Sequence, residues 1–477
     1  MLLWFVIAYL AVSIAIGLIA ATRVHSARDY ITAGRHLPIY VVFAAVFATW
    51  FGAETVLGIS ATFVQEGMGG LVSDPFGASL CLILFGLFFA RPLYRMNLLT
   101  IGDFYRQRYN RPVELATSIC IALSYLGWVS AQITALGLVF NVLSQDAISP
   151  AWGMIIGASV VLAYTLFGGM WSVAVTTFVQ MIVIVLGLLY IAWLVADMAG
   201  GATTVISHAA ANNKFEFLPK LSVADVVAFT AALITMGFGS IPQQDVFQRM
   251  NASKNENTAV WGSVLGGSAY FLFAFVPLFL VYAATLIDPK MAGSLIESDP
   301  QRILPSLIFN HMPLLAQVIF FGALLSVIMS TASGTLLAPS VTISENVLKG
   351  LFKRMNDHQF LWLNRIVVVC FTVLVTLYAV YTTESIHGMV ENAYKVTLVA
   401  AFVPLAAGLY WKRATTQGAA CAIVGGLLSW IALEFAAIDD LWPPQFIGFL
   451  LSVAGMIAGS LLPQHYGITP RHHVKVS

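Results

Sequence analysis

The sequence predicts an all-α integral membrane protein, on three observations. First, 59% of its 477 residues are hydrophobic and only 9% charged, with a mean hydropathy of +0.86, whereas soluble domains carry about 25% charged residues. Second, apolar stretches able to cross a hydrocarbon core of about 30 Å lie near 2–20, 38–64, 71–90, 115–143, 150–167, 171–196, 223–241, 258–286, 313–345, 361–382, 387–410, 417–436 and 442–463, which makes about 13 transmembrane helices. Third, two of these stretches are broken by glycine or proline: Ala48-Thr49-Trp50-Phe51-Gly52-Ala53-Glu54 and Gly237-Phe238-Gly239-Ser240-Ile241-Pro242-Gln243. Backbone that unwinds at bilayer depth must line a cavity or coordinate something. A pair of interrupted spans at corresponding positions of two halves points to a transporter's binding site.

The first stretch lacks a basic segment ahead of it, and its positive charges follow it, so it is expected to be a retained helix and not a cleaved signal. Connecting segments then alternate sides, and the excess of Lys and Arg on cytoplasmic loops tests the count. With the N-terminus outside, only Lys214, Lys220, Lys290 and Arg302 fall in outer segments. Arg365 and Lys395 lie within spans, and the other 17 of the 23 basic residues fall inside, among them Lys353, Arg354, Arg471 and Lys475. A miscounted helix would scramble that split. The expectation is therefore a multi-pass protein of the plasma (inner) membrane, N-terminus outside and C-terminus cytoplasmic, embedded in the lipid bilayer.

One transporter domain is expected to fill residues 1–477. Residues 1–37 form a leading helix and inner loop, 38–196 a first five-helix repeat, 223–410 a second, and 411–477 two extra helices and a tail. Both broken segments open their repeat, and an odd number of spans per repeat gives the two halves opposite topology. The symmetry lies in position alone, with no residue-level repeat.

Other classes are excluded by what the chain contains. A net charge of +1 with no dense basic run gives no footprint for a nucleic acid partner. Cys81, Cys120, Cys370 and Cys421 fall inside apolar stretches and read as small buried hydrophobes. No metal cluster, nucleophile elbow or P-loop is present, which argues against an enzyme and against an organic cofactor. His208, His311 and the pair His472-His473 lie in outer loops and the tail, where lone histidines are solvated.

The ninth stretch contains Ser326-Val327-Ile328-Met329-Ser330-Thr331-Ala332-Ser333-Gly334-Thr335, with Ser326, Ser330, Ser333 and Gly334 on one helix face. Small residues there ease close helix packing, and hydroxyls can bond back to the preceding turn. The alternative is an oxygen-rich site for a hard cation such as Na⁺, completed by carbonyls freed at the first break.

Here the chain resembles the sodium:solute symporters, which share the LeuT-type fold with one extra N-terminal and two extra C-terminal helices. The resemblance rests on residues 29–35 (DYITAGR), 100–105 (TIGDFY), 168–173 (GGMWSV) with Gln180, 242–249 (PQQDVFQR) and 329–331 (MST). Residues 48–52 (ATWFG) and 88–92 (FFARP) are most similar to the choline-transporter branch. The resemblance implies a 5+5 inverted repeat and Na⁺ as coupling ion. It places the Na⁺ site on the carbonyls of Ala48, Phe51 and Val327 and the hydroxyls of Ser330 and Thr331. It also implies that Trp50, Glu54, Trp128 and Gln243 face the solute. The chain departs from the family pattern at Thr177, where the family usually has an aspartate, and at Lys395, where the choline-transporter branch is acidic.

A charge within a span carries a penalty of about 2.5–3.5 kcal/mol and so marks a functional candidate. Glu54 is expected either to be kept protonated or satisfied by unwound backbone N–H groups, or to meet a cationic or hydroxylated part of the solute. Glu391 and Lys395 stand four apart in the favourable order and are expected to form an internal pair, with solute contact by Lys395 second. Asp74, before Pro75, reads as a wet helix start, and Arg365 as an arginine that snorkels. Trp50 and Trp128 can hold a quaternary ammonium through their ring faces.

Together these readings predict Na⁺-coupled symport of a small polar organic solute, nitrogenous or zwitterionic, such as an amino acid, betaine or choline-like amine. The rivals are an H⁺-coupled symporter titrating Glu54 or Lys395, and a solute sensor acting through a partner chain, for which the tail from Gln464 to Ser477 leaves no signalling domain. The residues set no oligomeric state.

Overall fold

The computed structural model describes residues 2–352, 355–436 and 442–464. Among them the chain is helical, with one isolated parallel bridge between Leu37 and Ser253 and no strand. The principal helices in chain order are α1 (Leu2–Ala21), α2 (Ile39–Trp50), α3 (Glu54–Arg95), α4 (Arg111–Leu143), α5 (Pro150–Met198), α6 (Val223–Gly239) and α7 (Gln244–Asn251). There follow α8 (Glu256–Ile287), α9 (Leu314–Leu351), α10 (Asp357–Tyr381), α11 (Ile386–Tyr410), α12 (Thr416–Ala436) and α13 (Pro444–Leu461). Their starts follow side-chain chemistry. Asn110, Ser149, Ser222 and Asn255 each accept a bond from the amide three residues on, satisfying one orphan donor of the first turn.

Among the described residues, ten helices are long and apolar enough to cross a bilayer, or eleven if α6 and α7, bent by 44°, are one span. Thirteen were expected; the difference lies at two places where consecutive predicted spans follow each other across a short break, 38–64 with 71–90 and 150–167 with 171–196. The 49 residues of α5 would span about 73 Å if straight, more than twice a hydrocarbon core, but the run is two helices that meet at a kink. Its interruption is at Gly169 (φ 48°, ψ −138°), between the predicted spans 150–167 and 171–196. Only glycine fits there, since a Cβ would fall 2.4 Å from the Tyr30 carbonyl oxygen. Likewise α3 takes in the second half of one predicted span and all of the next, with a tight turn at Gly67–Leu71 between them. The other half of that broken span is α2, only 12 residues long.

The most enclosed helices are α4, α9 and α11, while α1 and α12 are mostly exposed. The exposed side chains of α1 include Trp4, Phe5, Val12 and Ile19, a surface suited to lipid. Cys81 and Cys120 are buried, but Cys370 and Cys421 are exposed on outward faces of α10 and α12, contrary to the buried reading. At the end where α2 begins, Arg35 packs on the Tyr94 ring, and Arg91 and Arg95 pair with Glu256. At the far end of the same broken span, Lys214 donates to the carbonyls of Val64 and Gln65. The long connections 199–222 and 288–313 carry short helices, Ala202–Ala211, Pro289–Ser298 and Ile303–His311, and His311 meets Asp288 at 2.8 Å. Lys353, Arg354, Arg471, Lys475 and His472-His473 lie outside the described residues.

Candidate functional site

The first break works by diverting backbone donors. In an unbroken helix the carbonyls of Ala48, Thr49 and Phe51 would accept from the amides of Gly52, Ala53 and Thr55. Here the Gly52 amide donates to the Trp50 carbonyl at 3.0 Å, the Thr55 amide to Gly52 at 3.2 Å, and the Ala53 amide to Gln132 Oε1 at 2.9 Å. Phe51, at φ −79° and ψ 76°, turns the chain out of helical geometry. Three carbonyls at one level of the bundle are thereby released from their helical donors.

The hydroxyls of α9 take two of them. Ser330 Oγ donates to Ala48 at 2.7 Å and lies 2.8 Å from the Val327 carbonyl. Thr331 Oγ1 donates to Thr49 at 2.8 Å and stands 3.4 Å from Ala48. All five residues are fully buried. A hard cation the size of Na⁺ draws oxygens to about 2.3–2.6 Å, which sets neighbouring ligands about 3 Å apart, the spacing found here. The hydroxyls need only turn their protons away to offer lone pairs instead. The structure thus brings Ala48, Val327, Ser330 and Thr331 together. It adds the Thr49 carbonyl, which the sequence gives no means of singling out, while neither hydroxyl donates to Phe51. At Gly52 a Cβ would fall 2.8 Å from Thr331 Oγ1 and 2.5 Å from Glu54 Oε2. Glu54 therefore borders the same oxygen cluster.

Glu54 is held by α4 through neutral donors. Gln132 Nε2 donates to one carboxylate oxygen at 2.6 Å and Trp128 Nε1 to the other at 3.3 Å. Trp128 and Gln132 are four apart and share a helix face, which is the signal that could have found Gln132. No Lys, Arg or His stands within 4 Å of Glu54 among the described residues.

Around that carboxylate the rings close up. Trp50 meets Trp128 edge to face at 5.4 Å and stacks on Tyr394 at 6.0 Å, while Tyr394 meets Trp128 at 5.6 Å and Tyr125 stacks on Trp128 at 5.9 Å. Tyr394, one residue before Lys395, was not singled out by sequence reading. The Trp50 indole N–H and the Tyr394 hydroxyl are buried without hydrogen-bond partners. At the second break α6 stops at Gly239, pressed against the Tyr394 carbonyl of α11, and α7 restarts at Gln244. Gln243, between them, bonds Ser124 at 2.9 Å and Thr397 at 3.4 Å. Thr397 lies three residues after Tyr394, so α11 joins the second break to the ring cluster.

Two readings of charge are corrected. Lys395 does not pair with Glu391; it faces Glu434 of α12 at 3.7 Å, and Glu391 faces His387 at 3.8 Å. Among the described residues no ion pair joins Lys395 to Glu54. Asp74 is no wet helix start, being 1% exposed and accepting a hydrogen bond from Tyr270. Arg365 lies over the rings of Phe167 and Trp362, 5.4 and 5.5 Å from their centroids. At the first family departure, the Thr177 hydroxyl and both ends of the Gln180 amide are buried and unpartnered.

Comparisons with known proteins follow the same lines. The family model described as sodium:solute symporter family matches residues 30–426. The chain is 27% identical over 420 residues to the high affinity choline transporter 1 of Homo sapiens, covering 83% of this chain and 69% of that one. It is 25% identical over 467 residues to the high-affinity proline transporter PutP of Bacillus subtilis (strain 168), covering 94% and 95%. Its fold superposes on a substrate-bound, outward-open Na⁺-coupled sialic acid symporter with a TM-score of 0.80 at 19% identity, over 96% of this chain and 97% of that one.

Proposed function

The chain belongs to the sodium:solute symporter family, with a LeuT-type fold and secondary active symport of a small solute across a membrane, and from that premise we propose that it couples Na⁺ entry to uptake of a nitrogenous, cationic or zwitterionic solute. The observation that carries the solute class is Glu54. It is a buried carboxylate whose side-chain partners are neutral, bonded to the indole N–H of Trp128, a ring that clusters with Trp50 and Tyr394. A positive head group would satisfy the carboxylate and gain about 0.5–2 kcal/mol from each well-placed ring. The free Trp50 N–H and Tyr394 hydroxyl offer donors to the solute's carboxylate or hydroxyl.

Na⁺ is cargo here. In this reading the carbonyls of Ala48, Phe51 and Val327 with the hydroxyls of Ser330 and Thr331 receive it, joining α9 to the first break and favouring the outward-open form. The solute then closes the outer side through the rings and Gln243, and the repeats 38–196 and 223–410 rock to open the site inward. The N-terminus lies outside and the C-terminus in the cytoplasm.

Proteoliposomes supplied from outside with labelled choline, glycine betaine or L-proline as separate probes, with labelled glucose and acetate as contrasts, test this reading. The expected result is accumulation of at least one nitrogenous probe driven by an inward Na⁺ gradient at fixed pH. Accumulation indifferent to Na⁺ removes the coupling, and accumulation of the contrasts alone removes the solute class.

A further inference from the structure

Asp74 is buried, no basic group stands within ion-pair distance of it among the described residues, and its Oδ2 has no hydrogen-bond partner. Its other oxygen accepts from the Tyr270 hydroxyl of α8. Tyr270 in turn lies 3.3 Å from Thr55 Oγ1, and Thr55 donates to the Trp50 carbonyl at 3.3 Å. Four oxygens thus form three links from Asp74 to the first break, through wholly buried side chains.

Counting protons along this chain decides its state. Tyr270 and Thr55 bring one hydroxyl proton each. With Asp74 ionised, Tyr270 gives its proton to Asp74 and Thr55 gives its own to Trp50. The Tyr270–Thr55 contact is then two oxygens facing each other with no proton between them. With Asp74 protonated, the carboxyl donates to Tyr270, Tyr270 to Thr55 and Thr55 to Trp50, and every link is filled. In a buried setting such an alignment is cooperative, and an empty link between buried oxygens is unfavourable.

From this geometry we infer that Asp74 is a proton-binding site, distinct from the Na⁺ oxygens, whose proton completes a hydrogen-bond chain ending at the first break. Two titratable groups bear on it: Tyr270 from α8, and Glu54, one residue before Thr55 at the start of α3. Helix α6, packed against residues 72–77, carries Asp225 as its single titratable residue, in its exposed first turn. The other titratable residues of α8 are engaged elsewhere, Glu256 by Arg91 and Arg95 and Tyr282 by His208. Protonation reverses the Tyr270 hydroxyl and so changes the bonding at Thr55, which lies beside Glu54 and on the carbonyl of Trp50. External pH is thereby read into the solute site, a consequence that rests on the first break being that site.

The test needs neither Na⁺ nor the solute. Infrared difference spectra of the purified full chain in nanodiscs, taken between acid and alkaline buffer, are expected to contain a carboxylic-acid C=O band that is lost in Asp74→Asn. The same band is expected to move in Tyr270→Phe, where the bonded hydroxyl is gone. The asparagine N–H mimics the protonated acid, so the pH-dependent tryptophan fluorescence from Trp50 and Trp128 is expected to vanish in Asp74→Asn and stay at its acid value. If Asp74→Asn does not fold, Tyr270→Phe carries the test. An undisplaced band in Tyr270→Phe, a band that survives Asp74→Asn, or a wild-type fluorescence titration in either variant overturns the proposal. Failure of Na⁺-driven uptake alongside a band assigned to Asp74 would instead count against the transport reading.

Discussion

Each of the two breaks has a buried acid beside it, and the acids live in opposite circumstances. Beside the second, Asp245 is answered from within: Arg249, one turn along α7, reaches its carboxylate at 3.5 Å and its carbonyl at 2.7 Å, and Tyr125 donates to the other carboxylate oxygen at 2.5 Å. Arg249 also donates to Thr49 Oγ1 at 2.9 Å and to the Ala45 carbonyl at 3.2 Å, so the second region's cation braces the helix that leads into the first. Beside the first break, Glu54 has only an indole and an amide for company. An acid with an internal cation makes a joint. An acid without one makes a socket for a cation supplied from outside.

The comparison breaks most visibly if the joint is cut. Arg249→Ala leaves Asp245 buried and unpaired, for which about 3–5 kcal/mol of destabilisation is expected, read as a large fall in melting temperature or in folded yield. Adding Asp245→Asn should recover part of the loss. A single variant as stable as wild type would mean that the pair is no joint.

Next in size are the hydroxyls between the two regions. Ser330→Ala and Thr331→Ala each remove an oxygen from the Na⁺ set. With about 1.5–3 kcal/mol for a bond to a charged group, the half-saturating Na⁺ concentration for uptake should rise at least about tenfold. Unchanged Na⁺ dependence would return the 326–335 segment to its other reading, small residues that ease helix packing.

Glu54→Gln sharpens the comparison further. The socket loses its charge while Trp128 and Gln132 keep their positions, so the apparent affinity for a cationic probe should fall about tenfold, or 1.4 kcal/mol, with Na⁺ dependence retained. Because Glu54 crowds Gly52 together with Thr331, a shift in Na⁺ affinity in place of solute affinity would move the carboxylate into the cation site.

How far this was legible in the sequence follows from what each feature is made of. Apolar runs and mid-span Gly and Pro are local, so the helical class and both breaks could be read directly. The span count is less direct, because Gly169 parts α5 into two helices with no loop between them, and residues 67–71 turn the chain within α3. Thr49 enters the cation set through its carbonyl, which no side-chain pattern marks. Gln132, Tyr394 and Tyr270 matter for partners on other helices, brought near only by packing. Asp74 was misjudged because its neighbour Pro75 suggested an exposed helix start, whereas the packing of α8 buries it against Tyr270.

The smallest effect is expected at Lys395, where a rule of spacing was overtaken by competition. Four residues from Glu391 and in the favourable order, it had a partner on its own helix. Yet Glu391 has His387 on its other side at 3.8 Å, and α12 offers Glu434 to Lys395 at 3.7 Å. The Glu434 side chain is 47% exposed, and partly exposed pairs contribute about 0–1 kcal/mol. Lys395→Gln should therefore lower the melting temperature by a degree or two at most and leave both Na⁺ and solute half-saturation unchanged within twofold, measured in the same proteoliposomes. A larger loss of solute affinity would mean that Lys395 swings from Glu434 towards the rings during transport. The socket at the first break would then have a movable internal cation, and the contrast with the Asp245–Arg249 joint would be one of timing and not of kind.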